Sequence, residues 1–465
     1  MTTPRRAPRR APAALLGGAT ALALALAGCS TPSSGGSAAG DGTVTITVGD
    51  RPSADQAAAR AIYDRRVQEF QKANPGIRIE PSETVWDVQT FQANVAGGTL
   101  PDVLKVPFTE IQALIARKQV ADITDQLKEV GLADRLNPQT VKIVQGRDGR
   151  TYGVPVLPYA IGLFYNRALF EKAGLDPAKP PRTWAEVRAA AKAVAEKTGQ
   201  AGYAQMATEN TGGWMLTAQS YSMGGSIESE DGAKATFDDA AMRNALTLLK
   251  GMRWEDDSMG TNFLYNMNDI AKDFAAGKIG MFLSVPSAAY QAVVINFDMP
   301  KKDVGLTAVP TGPGNDNKVL SGGSVEIVNP KASEAEKSAA LKWIAFFDLG
   351  KYINQEAAVA DAKASAQDGG AVGIPRLSPI SPEGFERYKE WIAEYVNVPL
   401  ENFTGYTDNL ATVQLKTEPV KSAQEVYAVL DTVLQKVLTD KGADVDALLR
   451  EAVATVDTKL ARAPR

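Results

Sequence analysis

Between Val44 and Val106 the apolar residues change period repeatedly, and few folds accommodate that. Val44, Ile46 and Val48 alternate, as a half-buried strand requires, and Ala59, Ile62, Tyr63, Val67 and Phe70 then recur at helical spacing. Asn74-Pro75-Gly76 is a stop signal, after which Ile77 and Ile79 open a second strand. Phe91 and Val95 mark a short helix, and Val103, Leu104 and Val106 a third strand. Helices between successive strands imply a parallel sheet with helices packed over it. A chain of 465 residues exceeds what one core usually serves, so two or three lobes are expected.

The next informative stretch is "GRTYGVPVLPYAIGLFYNRALFEKAGL". Pro155 and Pro158 interrupt a strand-like run, which makes it stiff and extended and suits it to crossing between lobes. Thr183-Trp184-Ala185-Glu186 fits a capping box and predicts a helix through Ala191 and Val194 to Gly199. Trp184, Trp343 and Phe347 sit on helical apolar stripes and read as core. From Glu386 onward the pattern is mainly helical, ending in a stripe of Leu449, Val453 and Val456. No internal repeat is visible.

The amino-terminal segment is of another kind. Arg5, Arg6, Arg9 and Arg10 precede an apolar run too short to span a membrane comfortably, and that run ends at Cys29. Cys29 is the one cysteine of the chain, so it has no partner for an internal disulfide. Leu26-Ala27-Gly28-Cys29 resembles the lipobox of bacterial lipoproteins. The resemblance implies a signal peptide over 1–28, cleavage before Cys29, and a diacylglycerol on its thiol. An ordinary signal peptide with a chance cysteine is the alternative. Pro12 stands where a twin-arginine signal wants apolar residues, and the export route stays open. Residues 29–42, rich in Ser and Gly, read as a flexible tether. No later stretch reaches membrane-spanning length.

Composition removes whole classes of chemistry. There is no histidine, which excludes Ser–His and Cys–His catalysis and His-based zinc sites. The two "GGS" triplets carry Glu228 and Glu326 where a nucleophile elbow closes with glycine. "AAGKIGM" has Ile279 after Lys278 where a phosphate loop has Ser or Thr. "GPGNDNK" lacks calcium-loop spacing and reads as a hairpin turn. Asp256-Asp257 reads as a solvated face before it reads as a glycosidase pair. Nothing calls for a cofactor or a metal. The net charge of −4 becomes more acidic once the arginine-rich leader is set aside, which disfavours a nucleic-acid surface.

Several segments together resemble the family 1 extracellular solute-binding proteins, the sugar-binding subunits of ABC importers. They are "EFQKANPGIRIE", "AGGTLPDVLKV", "YGVPVLPYAIGLFYNRALFEKAGLDP" with "PRTWAEV", "FAAGKIGMFLS", and "VGLTAVPTGPG" followed by "LSGGSVEIVNPKASEAEKSAALKWIAFF". The resemblance spans nearly all of 43–465. It implies a two-lobe periplasmic-binding-protein-like α/β fold, 43–157 and 312–357 forming the first lobe, 158–311 and 358–465 the second. Ligand would lie between the lobes and be buried by hinge closure. It further implies a monomer that is not an enzyme, works with ABC permease subunits, and sits on the outer face of the cytoplasmic membrane, the periplasmic side in a cell with an outer membrane.

Sugars need an aromatic face for their C–H surface and planar polar groups for their hydroxyls. By the resemblance, Asp50 and Arg51 fall in the first cleft loop and Phe108 and Thr109 in the loop after the third strand. Tyr159 lies at the crossover and Trp214 at a stacking position. Gly323 and Ser324 offer donors. Ser284 and Ser287 stand where many relatives place an aromatic, so the site either offers less stacking area or uses another aromatic, with Trp86 the candidate. Bland alternatives are a surface turn at Asp50-Arg51, packing for Trp86, and a strand end at Ser284 and Ser287. Trp214 follows Gly212-Gly213, which favours a loop. Two other functions stay open: a secreted glycoside hydrolase or lyase, and an adhesion or sensory lipoprotein. A polyamine, phosphodiester or metal chelate remains an alternative solute.

Overall fold

The computed structural model describes residues 42–87, 90–312 and 317–462. The leader, Cys29 and most of the tether lie outside them, as does the centre of "GPGNDNK". In chain order the strands are β1 (Val44–Val48), β2 (Ile77–Pro81), β3 (Val103–Pro107), β4 (Val154–Pro155), β5 (Tyr159–Ala160), β6 (Gly162–Asn166), β7 (Met281–Ser284), β8 (Val304–Ala308), β9 (Lys318–Gly322), β10 (Ser324–Val328) and β11 (Gln414–Thr417). The helices that bear on the site are α1 (Ala57–Ala73), α2 (Phe91–Gly97), α3 (Phe108–Ala116), α4 (Trp184–Thr198), α5 (Thr211–Ser222), α6 (Glu334–Phe347), α7 (Ala423–Thr439) and α8 (Val445–Arg462).

The first lobe is a five-stranded sheet in the order β2-β1-β3-β10-β4. β1 pairs in parallel with β2 and β3, through the helical crossovers α1 and α2, as the alternating periods predict. β10 closes on β3 antiparallel. The face of α1 is narrower than expected: Tyr63, Val67 and Phe70 are buried, while Ala59 is exposed and Ile62 is 54% exposed. Only the three at i, i+4 and i+7 reach α6, and Ile62 points a quarter-turn away. There Phe70 meets Trp343 edge-on at 5.3 Å, and Tyr63 packs on Phe347 at 5.3 Å.

The second lobe holds the three-stranded sheets β7-β6-β8 and β11-β9-β5 within one apolar core. The capping box at Thr183 and Glu186 is present, and α4 ends at Gly199 in the left-handed region. Leu449 and Val456 of α8 are fully buried, with Val453 packed beside them. The C-terminal part is less uniformly helical than expected, because β11 interrupts it.

The chain leaves the first lobe between β4 and β5 and returns between β9 and β10. The expected return at 312 comes too early: Val319 and Leu320 of β9 belong to the second core, and β9 pairs with β5 and β11. The return is made at Gly323, whose φ is +145°. The two crossings touch there. The Val156 N–H donates to the Ser324 carbonyl at 2.9 Å. A Cβ on Gly323 would lie 2.5 Å from the Leu157 carbonyl oxygen, so only glycine fits.

Candidate functional site: a cleft at the crossings

A cleft of about 2300 Å³ opens at the crossings. Its first-lobe wall includes Trp86, Phe108, Thr109 and Glu110, its second-lobe wall Tyr159, Glu418, Lys421 and Glu425, and Gly322, Gly323 and Ser324 run between them.

Six of the predicted residues meet on this surface: Trp86, Phe108, Thr109, Tyr159, Gly323 and Ser324. Phe108 gives the cleft little ring area, being only 3% exposed in the first-lobe core, and its N–H donates to the Gly323 carbonyl at 3.0 Å. Trp86 is half-buried and leans on Phe91, ring centres 4.7 Å apart. The neighbouring Glu110 carboxyl is pushed up mainly by burial, against the opposing pull of Arg117 and the Thr109 hydroxyl.

Asp50, Arg51, Ser284 and Ser287 do not line the cleft. Asp50 has φ of +60° at the end of β1, and its carboxylate accepts the Lys105 N–H at 2.9 Å. Arg51 makes a two-pronged pair with Asp64 on α1, at 2.8 and 2.7 Å. Both side chains are thus occupied in fixing the turn from β1 to α1. Ser284 ends β7 opposite Gly162 and is 1% exposed, its hydroxyl buried without a partner. Ser287 lies in the first turn of the short helix that follows.

Trp214 lies on α5, where a loop was expected. Gly212 and Gly213 are in the first turn of that helix because α7 crosses it there: a Cβ on Gly213 would fall 2.3 Å from the Tyr427 carbonyl oxygen. Asp431 of α7 also caps α5, accepting the N–H groups of Asn210 at 2.8 Å and Gly213 at 2.6 Å. This helix start sets Trp214 edge-on against Tyr159, ring centres 6.1 Å apart. The indole is packed on the second-lobe core and is absent from the cleft lining itself. Its N–H is buried and closes no hydrogen bond of good geometry, although it lies near enough to Tyr159 and Glu418 to act on both.

Glu418 is the residue that sequence reasoning missed. It follows β11, accepts the Tyr159 hydroxyl at 2.5 Å and accepts the Tyr427 hydroxyl at 3.1 Å. Burial pushes its carboxyl up, and the two tyrosine hydroxyls and Trp214 oppose that. Burial, then the Glu418 charge, pushes the Tyr159 hydroxyl far above its usual range, so it stays a donor. Val413 and Leu415 alternate, and Pro419 forces Glu418 to be extended, but four strand residues are too short a signal inside a helical region.

The discarded acidic pair and the lysine of "AAGKIGM" stay outside the cleft. Asp256 pairs with Arg188 at 2.5 Å and Asp257 is 89% exposed, while Lys278 pairs with Asp273 at 3.0 Å. Among the described residues no group of three metal-ligating side chains occurs, and no described helix is long and apolar enough to cross a membrane.

Two α/β lobes with an open cleft of aromatic and polar residues at their crossings define a two-lobed solute-binding protein. The chain belongs to the bacterial extracellular solute-binding protein family, whose sequence profile matches residues 52–347. A putative binding protein of Brucella abortus (strain 2308) is 29% identical over 314 residues, 66% of this chain and 69% of that one. The sn-glycerol-3-phosphate-binding periplasmic protein UgpB of Escherichia coli (strain K12) is 31% identical over 166 residues, 32% of this chain and 37% of its own length. The sugar-binding protein MalE of Xanthomonas citri superposes with a TM-score of 0.68 at 20% identity, over 90% of this chain and 98% of that one. The cyclic alpha-maltosyl-1,6-maltose binding protein of Arthrobacter globiformis gives 0.67 at 21% identity, over 90% and 99%. These two structures establish the shared fold.

Proposed function

We propose that the chain is the lipid-anchored receptor of an ABC importer, and that it carries an oligosaccharide in the cleft without turning it over. The observation that carries the reading is the cleft itself. Trp86 on one wall and Tyr159, backed by Trp214, on the other supply aromatic surface, and Glu418, Thr109 and Ser324 supply polar partners for hydroxyls. At about 2300 Å³ the open space exceeds the roughly 300–1,000 Å³ of usual small-molecule pockets and leaves room for several sugar rings. The names of the Xanthomonas and Arthrobacter proteins point the same way. UgpB is named for a phosphate-bearing solute and keeps a second reading in play.

In this reading the first lobe is the sheet of β1, β2, β3, β4 and β10 with its helices, the second lobe is built on the other strands, and the working unit is a monomer. A thermal-shift screen against neutral oligosaccharides tests it, since a ligand that binds only the native state raises the melting temperature. Stoichiometric binding with intact sugar supports the receptor. Release of shorter sugars would replace it with a hydrolase or lyase. The anchor rests on the Cys29 lipobox and the tether. Two acyl chains hold a protein stably where one does not. Cys29→Ala should abolish incorporation of labelled lipid in cells; equal labelling of variant and parent refutes the anchor.

A further inference from the structure

The floor of the cleft holds a carboxylate that no base answers. Two acceptor positions of Glu418 are taken by the Tyr159 and Tyr427 hydroxyls. A carboxylate has about four, so the rest are open. Among the described residues no lysine or arginine pairs with it. Lys421, three residues on, donates its ammonium to the Leu460 carbonyl at 3.3 Å. Of the cleft's other cations, Arg117, Lys118 and Arg147 are exposed on the first-lobe side and Arg462 is exposed on the second, where water and salt screen them, and Lys459 is paired with Glu425 at 3.3 Å.

Two further observations say that the floor is built for a ligand. The buried Trp214 N–H lies behind the cleft lining beside Glu418 and Tyr159 and holds the pair from behind, without closing a hydrogen bond of good geometry. The strand passing beneath is bare at Gly322, where a Cβ would fall 2.2 Å from the Tyr159 hydroxyl and 2.8 Å from the Glu418 carboxylate. Any side chain there would displace the pair. The floor therefore presents open acceptors and a negative charge with no counter-ion.

We propose that Glu418 is the specificity-determining acceptor of the cleft: it takes a sugar ring through hydroxyl or protonated amine groups and excludes solutes that carry a phosphate. The proposal rests on the carbohydrate reading and narrows it. A ring with adjacent hydroxyls fills the open lone pairs of Glu418. A protonated amine on the ring adds the missing counter-ion. A phosphate brings like charge to a half-buried carboxylate and finds no base on the floor to offset it.

The test is calorimetric titration of the whole protein with three sets of probes: neutral gluco-, manno- and xylo-oligosaccharides, chitosan oligomers bearing free amines, and sn-glycerol 3-phosphate with glucose 6-phosphate. The expected result is binding by sugars of the first or second set and none by the phosphates at the same concentration. Glu418→Gln keeps the shape and one acceptor, and should weaken the bound sugar roughly ten- to hundred-fold, the range for loss of a hydrogen bond to a charged group. Phosphate binding by the unaltered protein overturns the selectivity, whether or not sugars also bind, and so does unchanged sugar affinity in a folded Glu418→Gln. If no sugar of any set binds, the carbohydrate reading fails and this inference falls with it. The probe panel needs no variant, so a Glu418→Gln protein that fails to fold leaves the first comparison standing.

Discussion

Trp214 and Glu228 show how a single polar atom separates binding from stability. The Trp214 N–H has no partner in the free protein, while its rings pack on the second-lobe core. Trp214→Phe should therefore leave the melting temperature nearly unchanged, because it deletes a buried donor that was making nothing. It should weaken sugar binding by about ten-fold, because the smaller ring no longer backs Tyr159 and its bond to Glu418. Equal affinity in the two proteins would place the ligand elsewhere. Glu228 sits beneath the second-lobe side of the cleft with Oε1 buried and unpartnered, and burial pushes its carboxyl up to about 7, against the opposing Lys421 and Val420 N–H groups. A carboxyl raised in the folded state binds its proton more tightly there than when unfolded. Its contribution is fully favourable below the ordinary carboxyl value of 4.5 and is lost as pH rises through about 7. Glu228→Gln should accordingly match the parent's melting temperature near pH 4.5 and exceed it at pH 8. A parent already as stable as the variant at pH 8 would contradict that placement.

Pairs of elements, more than single ones, decide where the site residues point. α5 begins where it does because α7 presses on it: Gly213 meets the Tyr427 backbone, and Asp431 caps the first turn. Gly213→Ala forces these helices apart and should cost about 1–3 kcal/mol, the usual penalty for overpacking. It should also disturb Tyr427, one of the two hydroxyls that hold Glu418, so sugar affinity should fall with stability. Melting curves and titration of the same variant check both, and a variant as stable as the parent would show that the helices are loosely packed. This crossing explains the misreading of Gly212-Gly213. A glycine pair signals a turn only when nothing else needs the space, and sequence alone does not report that a second helix, two hundred residues on, lies against it. The strands and helices of the first lobe were legible because their periods are local, and so was the capping box at Thr183. Ile62 was misassigned because periodicity fixes a face only to within about a quarter-turn, and the partner helix α6 then selects Tyr63, Val67 and Phe70.

At the scale of the molecule, the fold class was readable because alternating strands and helices admit few arrangements, and the crossover was marked by Pro155 and Pro158. The site was only partly readable. Tyr159, Gly323 and Ser324 meet because two of the chain crossings run side by side; the proline run announced the first, whereas the return was expected at 312 and is made at Gly323. Asp50 and Arg51 follow a strand end as cleft residues often do, yet the nearest partners, Lys105 and Asp64, claim them first. Glu418 was hidden because β11 is four residues long and joins a sheet whose other strands lie far back in the chain. A receptor that holds sugar between two lobes has to close on it, since contacts to both walls exist only in the closed form. Small-angle scattering of the purified protein, alone and saturated with the sugar found by thermal shift, measures this directly. The account predicts a smaller radius of gyration with sugar bound. An unchanged radius at saturation would contradict it.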